Sequence, residues 1–277
     1  CHTLLPQVGE RIAALGELIG SLEARAAIAQ IEIAAGDEAV ALTFRHLQPL
    51  SEPDRAALAA FGQAHGLAIL LQAGGPDSVT ELWPEQVPLS FRLPAHDIEI
   101  AFRPLDFIQV NAGMNQRMVA RALELLDPRA ADSVLDLFCG LGNFTLPIAR
   151  RVAKVTGVEG EPALVARAGE NARRNRIGNA RFFAADLAAD QRGTPWARER
   201  HDKLLLDPPR SGAAAVFDYL PRMDASRVVY VSCHPGSLAR DAGLLVDRHG
   251  FRLTAAGVMD MFPHTAHVES IALFERG

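Results

Sequence analysis

The stretch from Ser133 to Phe144, SVLDLFCGLGNF, constrains the fold more than any other part of the chain. It begins with a short, mostly apolar run, which is typical of a parallel strand buried on both faces. Gly140 and Gly142 then allow a tight backbone turn and leave room for a ligand beside the main chain. Asn143 is expected to cap the helix that follows. In an open α/β sheet, such a turn lies at the carboxyl end of a strand, where ligands bind.

The ligand of this turn is either a dinucleotide or S-adenosylmethionine. A dinucleotide site usually has the pattern G-x-G-x-x-G, whereas Thr145 stands at the third glycine position. Glu159 ends the next predicted strand about 20 residues later, and its carboxylate can accept both hydroxyls of an adenosine ribose. The missing third glycine and the Asp136 before the turn favour S-adenosylmethionine. A purely structural glycine turn is the alternative.

Composition excludes several classes of protein. The formal net charge is −5, so the whole chain lacks the basic signature of a nucleic-acid-binding protein. A local cluster, Arg173, Arg174, Arg176 and Arg181, could meet a phosphate backbone, but a solvated helix end is the favoured interpretation. No apolar run reaches the ~18 residues of a membrane span, so we expect no membrane association. Three widely spaced cysteines indicate a reducing, cytoplasmic compartment.

The first part of the chain, residues 1–104, is predicted to be a small central α/β domain. Residues 10–22 have helical apolar spacing, and residues 29–33 and 38–44 read as strands joined by a hairpin turn. A second helix is predicted from Ser51 to near Gly66, before a further strand. Because the chain begins at Cys1 without a methionine or a leader, we expect it to be a fragment or a processed chain rather than a secreted precursor.

Residues 105–277 are predicted to form a second domain, which begins with a helix over residues 114–126. Predicted strands then alternate with helices, and the strands cover residues 133–138, 154–158, 180–185, 203–206 and 227–232. The helices between them are predicted over residues 144–151, 162–176, 212–220 and 235–249. This series predicts an α/β fold with a mostly parallel, doubly wound, Rossmann-like sheet. Two final apolar stretches, residues 251–259 and 267–274, have no helix between them and predict a terminal antiparallel hairpin.

Polar residues stand where these strands end. Asp186, Asp207 and Cys233 follow the third, fourth and fifth strands, and we expect them to project onto the edge that carries the glycine turn. Asp207-Pro-Pro resembles a turn of methyltransferases that act on planar nitrogen-bearing rings. Glu269 lies apart from these, in the final hairpin.

Cys233 and Glu269 together suggest a specific chemistry. A helix predicted to start at Pro235 would stabilise a thiolate at Cys233 and lower its pKa. Carbon 5 of uracil is a poor nucleophile, but addition of a thiolate at carbon 6 makes it reactive toward a methyl donor. A base must then remove the proton from carbon 5 so that the thiol can leave.

The motifs DLFCGLGNF, DPPR, YVSC and MFPHTxHxE occur here in that order, and the chain resembles the RNA uracil-5 methyltransferases over roughly residues 107–277. Its tail is most similar to the bacterial branch that acts on 23S rRNA and carries an iron–sulfur cluster. The resemblance implies methylation of uridine carbon 5 in 23S rRNA, with Cys233 as the nucleophile and Glu269 as the base. The S-adenosylmethionine-binding residues that it implies are Gln109, Phe138, Asn143, Glu159, Asp186 and Asp207. His234 departs from the family, which usually has asparagine there.

The segment from Cys1 to Pro6 resembles the part of this branch that holds the fourth cysteine of a 4Fe-4S cluster. The resemblance therefore implies that Cys1 is a metal ligand in the full-length protein. Clusters of this kind generally need four thiolates, so the other ligands, and a small β-barrel RNA-binding domain, would lie upstream.

Several alternatives remain open at this point. A tRNA uracil-5 methyltransferase has the same chemistry, and an amino-group methyltransferase could use Asp207-Pro-Pro with Cys233 incidental. A non-catalytic RNA-binding module with a relic pocket is the alternative from another class. For the favoured reading we expect 23S rRNA as the partner and a monomer without an obligate protein partner.

Overall fold

The computed structural model describes residues 4–219 and 224–276. The chain divides into two compact units, Cys1–Phe91 with Ala101–Phe107, and Arg92–Ile100 with Ile108–Gly277. The predicted boundary between residues 104 and 105 is a statement about domains that fold independently. It stays a prediction. Among the described helices, none is both long and apolar enough to cross a bilayer.

The first unit contains a small mixed sheet and helices. The helices are α1 (Pro6–Gly9), α2 (Ile12–Ser21) and α3 (Glu52–His65), and the strands are β1 (Ile28–Ala35), β2 (Val40–His46), β3 (Ala68–Gln72) and β4 (Val79–Trp83). Two further strands, β5 (Ser90–Leu93) and β6 (Ile98–Ala101), form a separate two-stranded sheet at the division between the units.

The first sheet has the order β1-β2-β3-β4, in which only β2 and β3 are parallel. Its core contains Phe44, Leu58 and Ile69, all fully buried. Helix α3 begins as predicted, because the Ser51 hydroxyl accepts a hydrogen bond from the Asp54 amide at 3.4 Å. It ends at Gly66, whose φ of 63° is the left-handed conformation that glycine adopts at least cost.

The second unit is an alternating series of strands and helices. Its helices are α4 (Ala112–Leu126), α5 (Thr145–Ala149), α6 (Pro162–Arg174), α7 (Pro195–Arg198), α8 (Ala214–Phe217) and α9 (Pro235–His249). Its strands are β7 (Ser133–Leu137), β8 (Lys154–Glu159), β9 (Ala180–Ala184), β10 (Lys203–Leu206), β11 (Arg227–Ser232), β12 (Arg252–Met259) and β13 (Glu269–Glu275).

Within the described residues, seven strands of this unit form one sheet in the order β12-β13-β11-β10-β7-β8-β9. The strands from β7 to β11 are all parallel to one another, and β13 is antiparallel to both β11 and β12. The predicted fold class, a mostly parallel doubly wound α/β sheet with a terminal antiparallel hairpin, is confirmed.

Burial explains why the strands could be recognised from sequence. All of β10 is buried, and β7 and β11 are buried except for their first residues, as expected of strands covered by helices on both faces. Helix α7 was not predicted. It begins at Pro195 and buries Trp196, whose indole packs edge-on against Tyr219 with ring centroids 6.0 Å apart. The predicted helix over residues 212–220 is shorter, and Leu220 lies outside the described residues.

Gly157, in the middle of β8, marks a close approach between the sheet and the glycine turn. A Cβ atom there would lie 2.8 Å from Cδ1 of Phe182 and 2.9 Å from Sγ of Cys139. These distances are shorter than real contacts of a Cβ atom, so a side chain would push the two neighbours apart.

We predict that Gly157→Ala destabilises the second unit by about 1–3 kcal/mol because it overpacks this contact. The measurement is urea unfolding followed by the fluorescence of the buried Trp196 in a Trp83→Phe background. Gly257→Ala is the matched control, because a Cβ at that strand position meets nothing within 4 Å. Equal unfolding midpoints for the two variants would contradict the packing interpretation.

Candidate active site

The carboxyl ends of the parallel strands meet at one edge of the large sheet. Leu137, the last residue of β7, is in register with Val158 of β8 and with Leu206 of β10. The Asp207 amide continues this ladder by donating to the Leu137 carbonyl at 3.3 Å. The segments that follow these strands therefore begin side by side and form the walls of one cleft.

The glycine turn follows β7 in a left-handed backbone conformation. The φ angles are 64° at Phe138, 52° at Gly140 and 95° at Gly142. A non-glycine residue with positive φ is uncommon and is concentrated at functional sites, and Phe138 is such a residue. The turn is anchored because the amides of Phe138 and Cys139 both donate to the Val158 carbonyl, at 2.8 and 3.1 Å.

Glu159 is held against this turn at the end of β8. One carboxylate oxygen accepts from the Gly140 amide at 3.1 Å, and the other accepts from the amides of Gly160 at 2.7 Å and Glu161 at 3.2 Å. These bonds fix the position of the carboxylate, and each of its oxygens has further lone pairs for a ligand.

The predicted capping role of Asn143 is wrong. Helix α5 starts at Thr145 after Phe144, without a hydrogen bond from a capping side chain. The Asn143 amide instead pairs reciprocally with the Asn115 amide of α4, at 2.9 and 3.0 Å. The tight left-handed turn carries Asn143 toward α4, which local sequence rules for helix starts do not anticipate.

Gln109 and Asp186 lie on segments that flank the cleft. Gln109 precedes α4, whose start is capped by Asn111 through a 3.1 Å bond from the Met114 amide. The Asn111 amide also donates to the Met261 carbonyl at 3.4 Å, which ties this segment to the connection between β12 and β13. Asp186 follows β9 and is exposed, and it accepts from the Ala188 amide at 2.9 Å.

Cys233 and Glu269 are brought together by the pairing of β11 with β13. Ser232 is in register with Ser270, so Cys233 after β11 and Glu269 at the start of β13 are the next opposed positions. The Ser270 hydroxyl donates to the Ser232 carbonyl at 3.0 Å. Because β13 is antiparallel, it begins at the edge where the parallel strands end. Glu269 therefore joins the cleft, although the sequence had set it apart.

Carboxylates crowd this cleft, and their pKa values are raised. Burial raises the pKa of Asp207 to about 8, with further contributions from the negative charges of Glu269 and Asp136. Burial also raises the pKa of Asp136 to about 7, although the Thr145 hydroxyl donates to its Oδ2 at 2.5 Å. The other oxygen of Asp136 is buried and has no hydrogen-bond partner among the described residues. Such a site favours a ligand that carries positive charge.

The predicted lowering of the Cys233 pKa is wrong for the free protein. Burial raises the pKa of this half-buried thiol, and the charges of Glu269 and Asp207 raise it further. A backbone hydrogen bond and the positive charge of Arg210 act in the opposite direction and are outweighed. The prediction considered only the helix that follows Cys233, and it left out the burial of the thiol and the charges of the two carboxylates.

His234 stabilises the turn that carries Cys233. Its Nδ1 accepts from the Ser237 amide at 3.1 Å, which caps α9. The Ser237 hydroxyl donates to the His234 carbonyl at 2.9 Å. The Ser232 hydroxyl accepts from the His234 amide at 3.1 Å, so the two residues that flank Cys233 are joined directly.

Asp241 is a buried residue of α9 that sequence reasoning missed. Its Oδ2 accepts from the Ala213 amide at 2.7 Å and from the Tyr230 hydroxyl at 2.6 Å. Arg240, which bonds to the other Asp241 oxygen at 2.8 Å, also donates to the Ser211 carbonyl at 2.8 Å. These bonds tie the loop after Asp207 to the helix after Cys233. The sequence signal that could have revealed Asp241 was a carboxylate on the apolar face of a predicted amphipathic helix.

The predicted cluster ligand Cys1 lies outside the described residues. Within the part of the chain that the structure describes, no group of three or more His, Cys, Asp or Glu side chains could hold a metal ion. The cysteines of that part, Cys139 and Cys233, are free thiols.

Comparison with known proteins places this cleft in a family. A family model described as tRNA (Uracil-5-)-methyltransferase matches residues 85–277. The chain is 64% identical over 276 residues to the 23S rRNA (uracil(1939)-C(5))-methyltransferase RlmD of Xanthomonas axonopodis pv. citri. It is 63% identical to the protein of the same name from Xylella fastidiosa. Each alignment covers 100% of this chain and 62% of the relative, so the chain spans about three fifths of the length of these relatives.

A solved structure gives the same assignment. The Pyrococcus abyssi tRNA (uracil-54, C5)-methyltransferase in complex with S-adenosyl-L-homocysteine superposes with a TM-score of 0.69 at 25% identity. The match covers 87% of this chain and 58% of that one. The large sheet thus has the class I S-adenosylmethionine-dependent methyltransferase fold. The family predicted from the motifs is confirmed, and the chain belongs to the tRNA (uracil-5-)-methyltransferase family.

Proposed function

We propose that this chain transfers a methyl group from S-adenosylmethionine to carbon 5 of a uridine in 23S rRNA. The observation that carries the proposal is the opposition of Cys233 and Glu269 across the ends of β11 and β13, beside the glycine turn. The names of the relatives at 64% and 63% identity support 23S rRNA as the substrate, whereas the tRNA enzyme of known structure is only 25% identical.

In the proposed reaction, Cys233 acts as the nucleophile. Its thiolate adds to carbon 6 of the uracil ring, and the electrons of the 5,6 double bond move toward carbon 5 and the adjacent carbonyl. When bound, S-adenosylmethionine supplies the electrophilic methyl group that carbon 5 accepts. The target base has to leave its stack to reach the thiol.

Glu269 completes the proposed cycle as a general base. Its carboxylate takes the proton from carbon 5, the 5,6 double bond forms again, and the bond between carbon 6 and sulfur breaks. Because burial raises the pKa of Glu269, its carboxylate is a stronger base than an exposed one. The same residue thus receives a proton that a solvent-exposed carboxylate would accept less readily.

We propose that the cofactor is held by the residues that the resemblance implies: Gln109, Phe138, Asn143, Glu159, Asp186 and Asp207. Glu159 is fixed with lone pairs available for ribose hydroxyls. The buried, unpartnered oxygen of Asp136 and the raised pKa of Asp207 fit a ligand with positive charge, such as a sulfonium ion. Cys1 stays a predicted ligand of a 4Fe-4S cluster in the longer protein, and no step of the reaction uses it.

We predict that Glu269→Gln accumulates a covalent complex between Cys233 and RNA. The amide cannot remove the carbon 5 proton, so the adduct forms but does not resolve. The measurement is mass spectrometry after incubation with S-adenosylmethionine and a 23S rRNA transcript. In Cys233→Ala no adduct forms, and kcat falls on the order of 10⁴-fold or more. Full activity of Cys233→Ala would instead favour an amino-group methyltransferase that uses Asp207-Pro-Pro.

We predict that alkylation of Cys233 by iodoacetamide increases with pH, because the raised pKa keeps the thiol protonated near neutrality. Glu269→Gln removes a negative charge beside the sulfur and should move the titration midpoint to lower pH. Peptide mass spectrometry measures the labelled fraction, and the exposed Glu170→Gln is the control. An unchanged midpoint in Glu269→Gln would show that the two groups are not coupled.

We predict that His234→Asn preserves activity, whereas His234→Ala loses about 1 kcal/mol of stability and about tenfold in kcat. An asparagine oxygen can accept from the Ser237 amide as Nδ1 does, and alanine leaves that donor unpaired at the turn of Cys233. Steady-state kinetics and thermal unfolding make the comparison. Equal kcat values for the two variants would show that His234 does not position Cys233.

A further inference from the structure

The second unit contains a charged cavity that the proposed reaction does not use. Its volume is about 590 Å³, and it is lined by Arg92, Arg150, Arg174 and Arg176 together with Asp97 and Glu99. It lies where α5 and α6 end, before β8 and β9 begin, so it is at the edge of the sheet opposite to Cys233. Strands of this length separate the two edges by roughly 15–20 Å.

The backbone around the cavity is fixed by hydrogen bonds. Asn175, at the end of α6, accepts from the Glu99 amide at 2.8 Å and donates to the Glu99 carbonyl at 2.7 Å. Arg150 donates to the Asp97 carbonyl at 2.9 Å. The segment Arg92–Ile100 is thereby tied to the ends of both helices, and the arginines are presented on a fixed frame.

The charges that line the cavity do not balance. Arg92 and Arg174 share Glu99 at 3.5 and 3.3 Å, and Arg150 pairs with Asp97 at 3.2 Å. Four guanidinium groups against two carboxylates leave two net positive charges. Arg176 makes no ion pair with any residue that the structure describes. Exposed pairs such as these are weak and can open when a stronger anion binds.

Arg176 occupies a backbone position that favours glycine. Its φ is 56°, and bonds from the Arg176 amide to the Arg173 carbonyl and from the Ile177 amide to the Ala172 carbonyl complete a Schellman cap of α6. A side chain in this left-handed conformation costs stability. Arg176 is thus an unpaired cation at a strained backbone position beside a basic cavity. This indicates that the function of the side chain, and not the capping of α6, accounts for an arginine there.

We propose that this cavity is an accessory site for backbone phosphates of the RNA substrate, remote from the reacting base. The inference rests on the proposed function. Arginine forks bind phosphate oxygens in pairs, and in a chain with a net charge of −5 such attraction comes from local basic sites. Of the arginine cluster noted in the sequence, Arg174 and Arg176 line the cavity, whereas Arg181 is occupied by Glu199 at 2.7 Å.

The variant Arg176→Gly separates an effect on RNA binding from an effect on stability, because we expect RNA affinity to fall and stability to rise. We expect the affinity for a 23S rRNA transcript to fall about fivefold and the slope of log K against log salt to decrease by about 1. The melting temperature should rise by about 2 °C, since glycine suits the left-handed position. Affinity for S-adenosylmethionine should not change. Arg252→Ala, on the edge strand β12 at the other end of the sheet, is the matched control.

The outcomes are distinguishable. RNA affinity and salt slope equal to those of Arg252→Ala would overturn the accessory site and leave the proposed function intact. Failure of the unaltered protein, tested at the full length of its relatives, to methylate 23S rRNA would refute the proposed function itself. Loss of pyrophosphate binding in Arg176→Gly with unchanged RNA affinity would overturn the proposal and assign the cavity to a small phosphorylated ligand.

Discussion

The antiparallel pairing of β11 with β13 is the interaction on which the candidate site depends. It places the residue after one strand opposite the first residue of the other, and so sets Cys233 against Glu269. A shift of the register by one residue would turn Glu269 to the other face of the sheet. The bond from Ser270 to Ser232 and the buried side chains along both strands oppose such a shift. The predicted chemistry thus rests on a contact between residues distant in sequence.

The electrostatics of the cleft follow from this arrangement. Besides burial, the charges of Glu269 and Asp136 raise the pKa of Asp207, and the charges of Glu269 and Asp207 raise the pKa of the thiol. In the free protein this crowding is unfavourable, and Cys233 is held as a protonated, less reactive thiol. A ligand with positive charge among the carboxylates would lower all of these pKa values. Under the proposed reaction, a positively charged cofactor in the cleft would thereby favour the thiolate of Cys233.

Sequence reasoning recovered the elements whose signals are local, such as the buried strand at Ser133–Leu137 and the capped helix after Ser51. It also placed Asp207 and Cys233 at one edge, because parallel strands end together. It failed where the outcome depends on contacts across the fold. The Asn143 amide turns to Asn115, and Glu269 enters the cleft because β13 is antiparallel. The Cys233 pKa rises because the thiol is buried and lies near carboxylates from elsewhere in the chain.

Helix α9 supports both sides of the cleft. His234, next to Cys233, caps its first turn, and its buried Asp241 holds the loop that follows Asp207. Gly212 in that loop has a φ of 80°, and a Cβ there would lie 2.5 Å from Oδ2 of Asp241, so the loop can approach the helix only without a side chain. A movement of α9 would displace the thiol and Asp207 together. Helix α9 therefore restrains both segments, in addition to the parallel pairing of β10 with β11.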